Sequence, residues 1–329
     1  MEGPPWEIKR RIIIKDEEMT NPSYGCHPYN RPISDYIKYG VINLDKPSGP
    51  TSHEVVAWIK RILNIKHAGH GGTLDPKVTG ILPIALEEAT KILQILLLGG
   101  KEYVCVMRIH KTIPIENVIR VMKEFVGDIY QRPPIRSSVS RIIRKRRIYY
   151  IQDFEFTENR VLFRIGCQAG TYIRKICFDI GEALGCGAHM EELRRTRAGP
   201  FTEHEGLSSF YDLFNAYSQW INKNDVSLLK KVIKPVEETT RLIPKIHIRD
   251  SAVNAICYGA DLATPGILKL ESGIKLGDLV GIFTLKDELI SLSRATMSTE
   301  EIVEKEHGIA ADTLRVIMSR DTYPRLWAK

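Results

Sequence analysis

Hydrophobic and polar positions follow two rhythms along this chain, and the rhythm changes near residue 244. From Lys101 to His110, Tyr103, Cys105, Met107 and Ile109 alternate with Val104, Val106 and Arg108, the period of two expected of a strand. Val161, Phe163, Ile165 and Cys167 repeat that alternation between Arg160 and Gln168. The unbroken apolar run Ile81 to Leu86 predicts a strand buried on both faces, and Tyr39 to Pro47 predicts a short strand ending in a turn. Helical spacing predicts a helix over 51–66, where Val55, Val56, Ile59, Ile62 and Leu63 form one stripe and Thr51 with Glu54 forms a capping box. Further helices are expected over 87–97, stopped by Gly99-Gly100, and over 114–125, opened by Pro114. Another should run from Thr171 to Leu184, with a stripe of Ile173, Ile176, Cys177, Ile180 and Leu184, and Gly185 should end it. Residues 212–234 read as one long polar helix. Past Pro244 the pattern becomes short strands at 267–270, 279–283, 289–292 and 314–318, separated by glycine turns, with one helix capped at Asp250 or Ser251.

This rhythm divides the 329 residues into three parts, as their number alone leads one to expect of more than one core. Residues 1–36 hold seven of the prolines and glycines, show little periodicity and must lie along another surface, most simply that of the C-terminal domain. Residues 37–240 form the main domain, and Pro235 and Pro244 bracket its edge with a domain over 241–329. No apolar stretch reaches the ~18 residues that span a bilayer, and the N-terminus lacks a signal-peptide layout, so a cytoplasmic protein is expected. The six cysteines include no C-x-x-C pair, which favours buried free thiols over a disulfide framework or a metal site.

Net charge is +7, and its placement says more than its size. Arg132, Arg136, Arg141, Arg144, Lys145, Arg146 and Arg147 fall between Gln131 and Tyr150 with no acidic residue among them. Such a run is either a solvated face or a field that draws in a polyanion. Pro133-Pro134 and three serines mark it as a loop, and Tyr149 and Tyr150 stand beside it for stacking, so RNA fits better than a membrane.

Candidate chemistry concentrates in Gly69-His70-Gly71-Gly72-Thr73-Leu74-Asp75-Pro76, followed by Lys77-Val78-Thr79-Gly80-Ile81-Leu82-Pro83. Three glycines in four positions disfavour a helix and let the chain pass tightly against a ligand. Pro76 biases Asp75 towards an extended conformation at the mouth of the core. Taken locally, Asp75 is a turn residue before proline as readily as a reactive group. No nucleotide-binding glycine fingerprint or P-loop accompanies it, and no recognition-helix or zinc-finger pattern points to DNA.

The wording of this loop closely resembles the active-site motif of the TruB family of pseudouridine synthases, in which the aspartate is the catalytic nucleophile. Asn43-Leu44-Asp45-Lys46-Pro47-Ser48-Gly49-Pro50-Thr51-Ser52, Lys101-Glu102-Tyr103, Gly170-Thr171-Tyr172-Ile173-Arg174 and Ala188 to Arg197 resemble further motifs of the family. The resemblance extends from Tyr36 to about Met318, where the last strands resemble a PUA domain around Thr264-Pro265-Gly266. It implies an α+β fold, a mixed, mostly antiparallel sheet flanked by helices with a small β-barrel PUA domain, and an isomerase that needs no cofactor and no metal. It also implies roles. Asp75 would be the nucleophile, Arg174 its ion-pair partner and Tyr103 the ring stacked on the target uracil. His70 would fill the space left by a flipped base, Leu193 would line the pocket, and Gly71 and Gly72 would approach the substrate. Lys46, Arg136, Arg141, Arg144, Lys145, Arg146, Arg147, Thr264, Pro265 and Gly266 would contact RNA.

Each role has a plainer counterpart in the residues themselves. Lys46 can equally tie down a loop, Tyr103 and Leu193 can be core, His70 can be a hydrogen-bonding turn residue, and Arg174, on the border of its stripe, can cover an apolar rim. Arg31-Pro32-Ile33, the Gly-Gly-Thr-Leu-Asp wording and the PUA segment resemble the archaeal and eukaryotic dyskerin-type branch, which works in H/ACA ribonucleoproteins. That branch implies a guide RNA and a substrate RNA, ribosomal or possibly transfer RNA. Its partners are a small zinc-containing protein on the catalytic domain, a small β-barrel protein near residues 131–150 and a kink-turn-binding ribosomal-type protein reached through the guide. The alternatives are a stand-alone transfer RNA enzyme and a non-catalytic RNA-binding scaffold.

Overall fold

The computed structural model describes residues 3–133, 140 and 142–326. In chain order the elements that matter here begin with strand β1 (Ile12–Ile14), helix α1 (Ile33–Lys38), strand β2 (Gly40–Lys46) and helix α2 (Ser52–Leu63). Strands β3 (Ala68–His70) and β4 (Thr79–Leu86), helix α3 (Leu93–Leu98), strand β5 (Lys101–Ile109) and helix α4 (Ile115–Glu124) follow. The series continues with β6 (Gly127–Gln131), β7 (Arg144–Thr157), β8 (Arg160–Cys167), helix α5 (Ile173–Ala183) and β9 (Ala188–Ala198).

Ten strands form the main sheet, with β2, β4, β9, β5, β8, β7 and β6 adjacent in that order. Every pairing in that run is antiparallel except β4 with β9, where Thr79 and Gly80 lie parallel to Arg194 and Arg195. The expected α+β architecture is therefore present, and the period-two reading of β5 holds in detail: Tyr103, Cys105, Met107 and Ile109 are buried while the residues between them are not. The Thr51–Glu54 capping box forms as expected, with Glu54 N donating to Thr51 Oγ1 and Thr51 N to the Glu54 carboxylate.

Three local expectations are corrected. Residues 87–97 are not one helix: a 3-10 turn, Glu87–Ile92, precedes α3. Residues 212–234 divide into α6 (Phe210–Lys223), α7 (Ser227–Val232) and a strand, Ile233–Pro235, that pairs with β2. Asn224 in the left-handed conformation ends the first of these helices. Finally, residues 144–150 are not loop. They open β7 and pair with β6 from Gln131↔Arg144 to Gly127↔Ile148.

A seven-stranded sheet forms the C-terminal unit around its own apolar core. Its outermost strand is β1, which pairs Ile12, Ile13 and Ile14 with Glu271, Leu270 and Lys269. The segment before β1 reaches the other domain, where Trp6 meets Tyr149 and Tyr150 edge-on and lies under the Arg197 guanidinium. The stretch between Pro235 and Pro244 is buried rather than a free linker. Val236, Thr239 and Thr240 are inside, and Glu237 pairs with Arg31 at 2.6 Å while accepting a bond from Leu289 N. An apolar cluster containing Val41, Ile81, Phe201, Phe283 and Leu292 spans both sheets, so the two units share one buried seam. Among the described residues no helix is long and apolar enough to cross a membrane. All six cysteines are free thiols, five of them buried.

Candidate active site

The loop carrying Asp75 is fastened chiefly through its backbone. Gly71 N donates to Pro83 O, and Gly71 is so close to Leu96 that a Cβ there would lie 2.7 Å from the leucine side chain. Ser52, at the start of α2, accepts from Leu74 N at 2.9 Å and donates to Leu74 O at 3.1 Å. Val78 N closes a turn onto Asp75 O. Lys46 Nζ, at the end of β2, donates to Pro47 O, Pro76 O and Val78 O at 2.9–3.0 Å. From the other flank Arg195 donates from Nη2 to Gly72 O at 3.0 Å and from Nε to Ile81 O at 2.7 Å. Backbone acceptors buried without partners would cost about 1–3 kcal/mol each, so the two cations define where this loop sits.

Arg174, in the first turn of α5, touches the Asp75 carboxylate through Nη2 and Oδ2. The two side chains are 56% and 52% exposed, so the pair sits at the protein surface rather than in a desolvated pocket. Gln131 holds the entry to that helix by accepting from Tyr172 N and donating to Tyr172 O.

Tyr103 is buried on β5, directly across the strand pairing from Arg195 of β9. Burial pushes the phenol pKa up, and the guanidinium opposes the shift. Leu193 is half-buried on β9 opposite Cys105, packed against the main core. His70 lies in β3, not in a free loop. Its ring sits edge-on to His53, burial holds its pKa below the ordinary histidine range, and its Nδ1 is buried without a partner. Gly72 has φ +128°, a conformation that favours glycine.

Several expected RNA contacts are placed differently. Lys46 is fully buried with its ammonium spent on three carbonyls, so it ties the loop and has no face for a phosphate. The basic run is less bare than the sequence between 131 and 150 indicates, because pairing with β6 brings Asp128 alongside. Arg147 and Lys145 both bind that carboxylate, at 2.8 and 2.9 Å, and hold its pKa down to about 2. Arg146 lies over Gly170 with its Nε buried, and Arg144 reaches Ser140. Tyr150 gives its hydroxyl to Glu102 and Tyr149 packs on Trp6, so neither is a free stacking surface. Arg136 and Arg141 lie outside the described residues. In the C-terminal unit Thr264 is buried and donates to Glu306 O, which leaves Pro265 and Gly266 as the accessible part of that turn.

Sequence reasoning passed over Arg195 and Lys101. Both are buried cations without a carboxylate partner, and Lys101 Nζ donates to Leu96 O at 2.7 Å and Gly99 O at 2.9 Å. One signal pointed to the first: if Leu193 faces inward, the strand period turns Arg195 inward too. The same period marks Lys101, two residues before Tyr103 on the buried face of β5.

Comparison with known proteins matches residues 60–173 to the TruB family pseudouridylate synthase N-terminal domain and residues 174–240 to the tRNA pseudouridylate synthase B C-terminal domain. Residues 5–56 match the DKCLD (NUC011) domain and residues 244–317 the PUA domain. A probable tRNA pseudouridine synthase B of Pyrococcus furiosus is 56% identical over 99% of this chain and 96% of that protein. Its counterpart in Methanopyrus kandleri is also 56% identical, over 98% and 95%. A solved Cbf5-Nop10-Gar1 complex contains a chain 56% identical to this one, with TM-score 0.94 and 98% of both chains covered. An H/ACA RNP bound to a substrate RNA containing 2'-deoxyuridine contains one 54% identical, with TM-score 0.93, covering 98% of this chain and 99% of that one.

Proposed function

This chain belongs to the TruB family of pseudouridine synthases, and from that premise we propose that it isomerises uridines in RNA as the catalytic subunit of a guide-directed H/ACA assembly. The observation that carries this reading is the likeness to chains of H/ACA complexes over 98% of the sequence, N-terminal segment and PUA domain included. In this reading the PUA domain holds one end of the guide RNA. Arg144, Lys145, Arg146 and Arg147 offer their charge to the substrate strand. The accompanying proteins are a small zinc-containing one on the catalytic domain, a small β-barrel one near residues 131–150, and a kink-turn-binding one reached through the guide.

Isomerisation breaks the N1–C1′ bond, turns the detached uracil and joins C5 to C1′. The C5 proton leaves and N1 takes one up, so no electrons are gained or lost. The target base must leave its stack to react, at a cost of a few kcal/mol, and stacking on Tyr103 would return about 1–3 kcal/mol. The rest of the role assignment is as follows. Asp75 is the nucleophile, since a carboxylate is weakly basic and leaves readily. Arg174 keeps it ionised once the base covers it, because a guanidinium stays protonated where burial would otherwise neutralise an acid. His70 and Leu193 shape the pocket. Its surface exposure without RNA suits a site that an incoming nucleotide completes.

A second reading, guide-free modification of transfer RNA, is favoured by the names of the relatives in Pyrococcus and Methanopyrus. One experiment separates the two. The full chain is assayed for pseudouridine by nucleoside chromatography on transfer RNA alone and on a ribosomal RNA fragment with guide RNA and partner proteins. Turnover of the fragment only with guide supports the first reading, and turnover of transfer RNA alone supports the second. Turnover of neither rejects both.

A further inference from the structure

Arg195 is 1% exposed and, among the described residues, has no acidic partner. Burial pushes its pKa down, yet an arginine does not lose its proton in a protein. A buried guanidinium is expensive, and replacing such groups by apolar ones is often neutral or stabilising. Its cost is understandable if the group fixes a geometry. Its bonds go to different elements. Nη2 holds Gly72 O in the Asp75 loop and Nε holds Ile81 O at the start of β4, while Tyr103 of β5 lies directly across the strand pairing from Arg195. Its own strand, β9, is pressed against β4 at Gly80, where a Cβ would come within 2.2 Å of Arg195 O. A lysine in its place would lack the planar fork that reaches the Gly72 and Ile81 carbonyls from separate nitrogens in fixed directions.

We infer that Arg195 is a positioning residue that sets the Tyr103 ring and the Asp75 loop in one fixed relation, so that the base platform and the carboxylate face the same nucleotide. The inference rests on the isomerase reading above for its kinetic consequence, but its geometric content stands on the fold alone. Nucleophile and platform sit on separate elements, and about 1 Å of drift between them costs on the order of 10²-fold in rate.

The test uses the full chain with Arg195→Lys, Arg195→Gln, Tyr103→Phe and the Arg195→Lys/Tyr103→Phe double variant. Single-turnover rate is measured per folded, RNA-binding molecule on whichever RNA the unaltered protein modifies. Arg195→Lys should lose about 10²-fold in rate with RNA affinity unchanged, and the double variant should lose less than the product of the singles, because the two side chains are direct cross-strand neighbours. In parallel, 3-fluorotyrosine placed at position 103 reports its surroundings by 19F NMR without any turnover. Its resonance should shift and broaden in Arg195→Lys. A folded Arg195→Lys protein with full rate per molecule, multiplicative losses in the double variant, or an unmoved resonance overturns the inference. If the unaltered protein modifies neither RNA, the isomerase reading falls while the resonance still decides this one. Should Arg195→Gln not fold, Arg195→Lys and the Tyr103→Phe single variant still decide the matter.

Discussion

Changing Asp75 to Asn separates chemistry from architecture in this protein more sharply than any other single substitution. Asn keeps the shape of the side chain and removes its charge. The pair it breaks, Asp75 with Arg174, has side chains 52% and 56% exposed, and ion pairs this open contribute about 0–1 kcal/mol. The loop is held by Ser52, Lys46 and Arg195 through backbone atoms that the substitution leaves alone. Stability should therefore change by no more than about 1 kcal/mol, which in a chain of this size moves Tm by at most about 2–4 °C. RNA affinity should hold or tighten slightly, since one negative charge near the phosphates disappears. Turnover should fall by at least about 10⁴-fold, the scale on which loss of a nucleophile is felt. Urea denaturation, filter binding and nucleoside chromatography of the product give the three numbers. A variant that retains even about 1% of the rate refutes the nucleophile assignment, and a stability loss above about 2 kcal/mol refutes the view of the loop as held by its neighbours.

Three other outcomes follow from the geometry. Lys46→Met leaves the carbonyls of Pro47, Pro76 and Val78 short of a donor but also relieves a buried ammonium, so we expect a net loss of about 2–4 kcal/mol. Its turnover should fall at least about tenfold through loop displacement, and unchanged kcat by single-turnover assay would count against the clamp. Gly80→Ala forces a side chain at φ +98° and drives its Cβ to 2.2 Å from Arg195 O. That should cost more than about 3 kcal/mol in urea denaturation, and a loss under about 1 kcal/mol would mean that β4 and β9 yield easily. Burial pushes the Lys101 ammonium down to about 7, against about 10.4 in an unfolded chain. Between those values the unfolded chain binds more protons, so stability should rise with pH from about 7 to 10 and its penalty should be complete below 7. The urea midpoint of Lys101→Met should lack this slope; equal slopes in both proteins would show that Lys101 keeps its proton on folding, as an exposed ammonium does.

What the sequence by itself determined about this protein is whatever is encoded within a few residues. The Thr51–Glu54 cap, the alternation of β5 and β8, the proline start of α4 and the positive φ at Gly72 and Gly80 all follow from nearest-neighbour sterics and hydrogen bonding. The motif around Asp75 was legible for the same reason, since close approach at Gly71 and Gly80 leaves glycine as the residue that fits. Only the tertiary structure decided which charges are spent. The sequence left Lys46 open between an RNA contact and a loop tie and did not say what Arg195 would bond, and only the meeting of β2 and β9 with the Asp75 loop makes both of them buried clamps. The basic run lost part of its field to Asp128, which precedes it in the chain and faces it only because β6 and β7 pair. Tyr149 and Tyr150 were claimed by Trp6 and Glu102, and a stretch that reads as a linker became a buried seam. The physical reason is common to all of these. Propensity and turn chemistry act over a few bonds, whereas the fate of a charged or aromatic side chain depends on which distant strand arrives beside it.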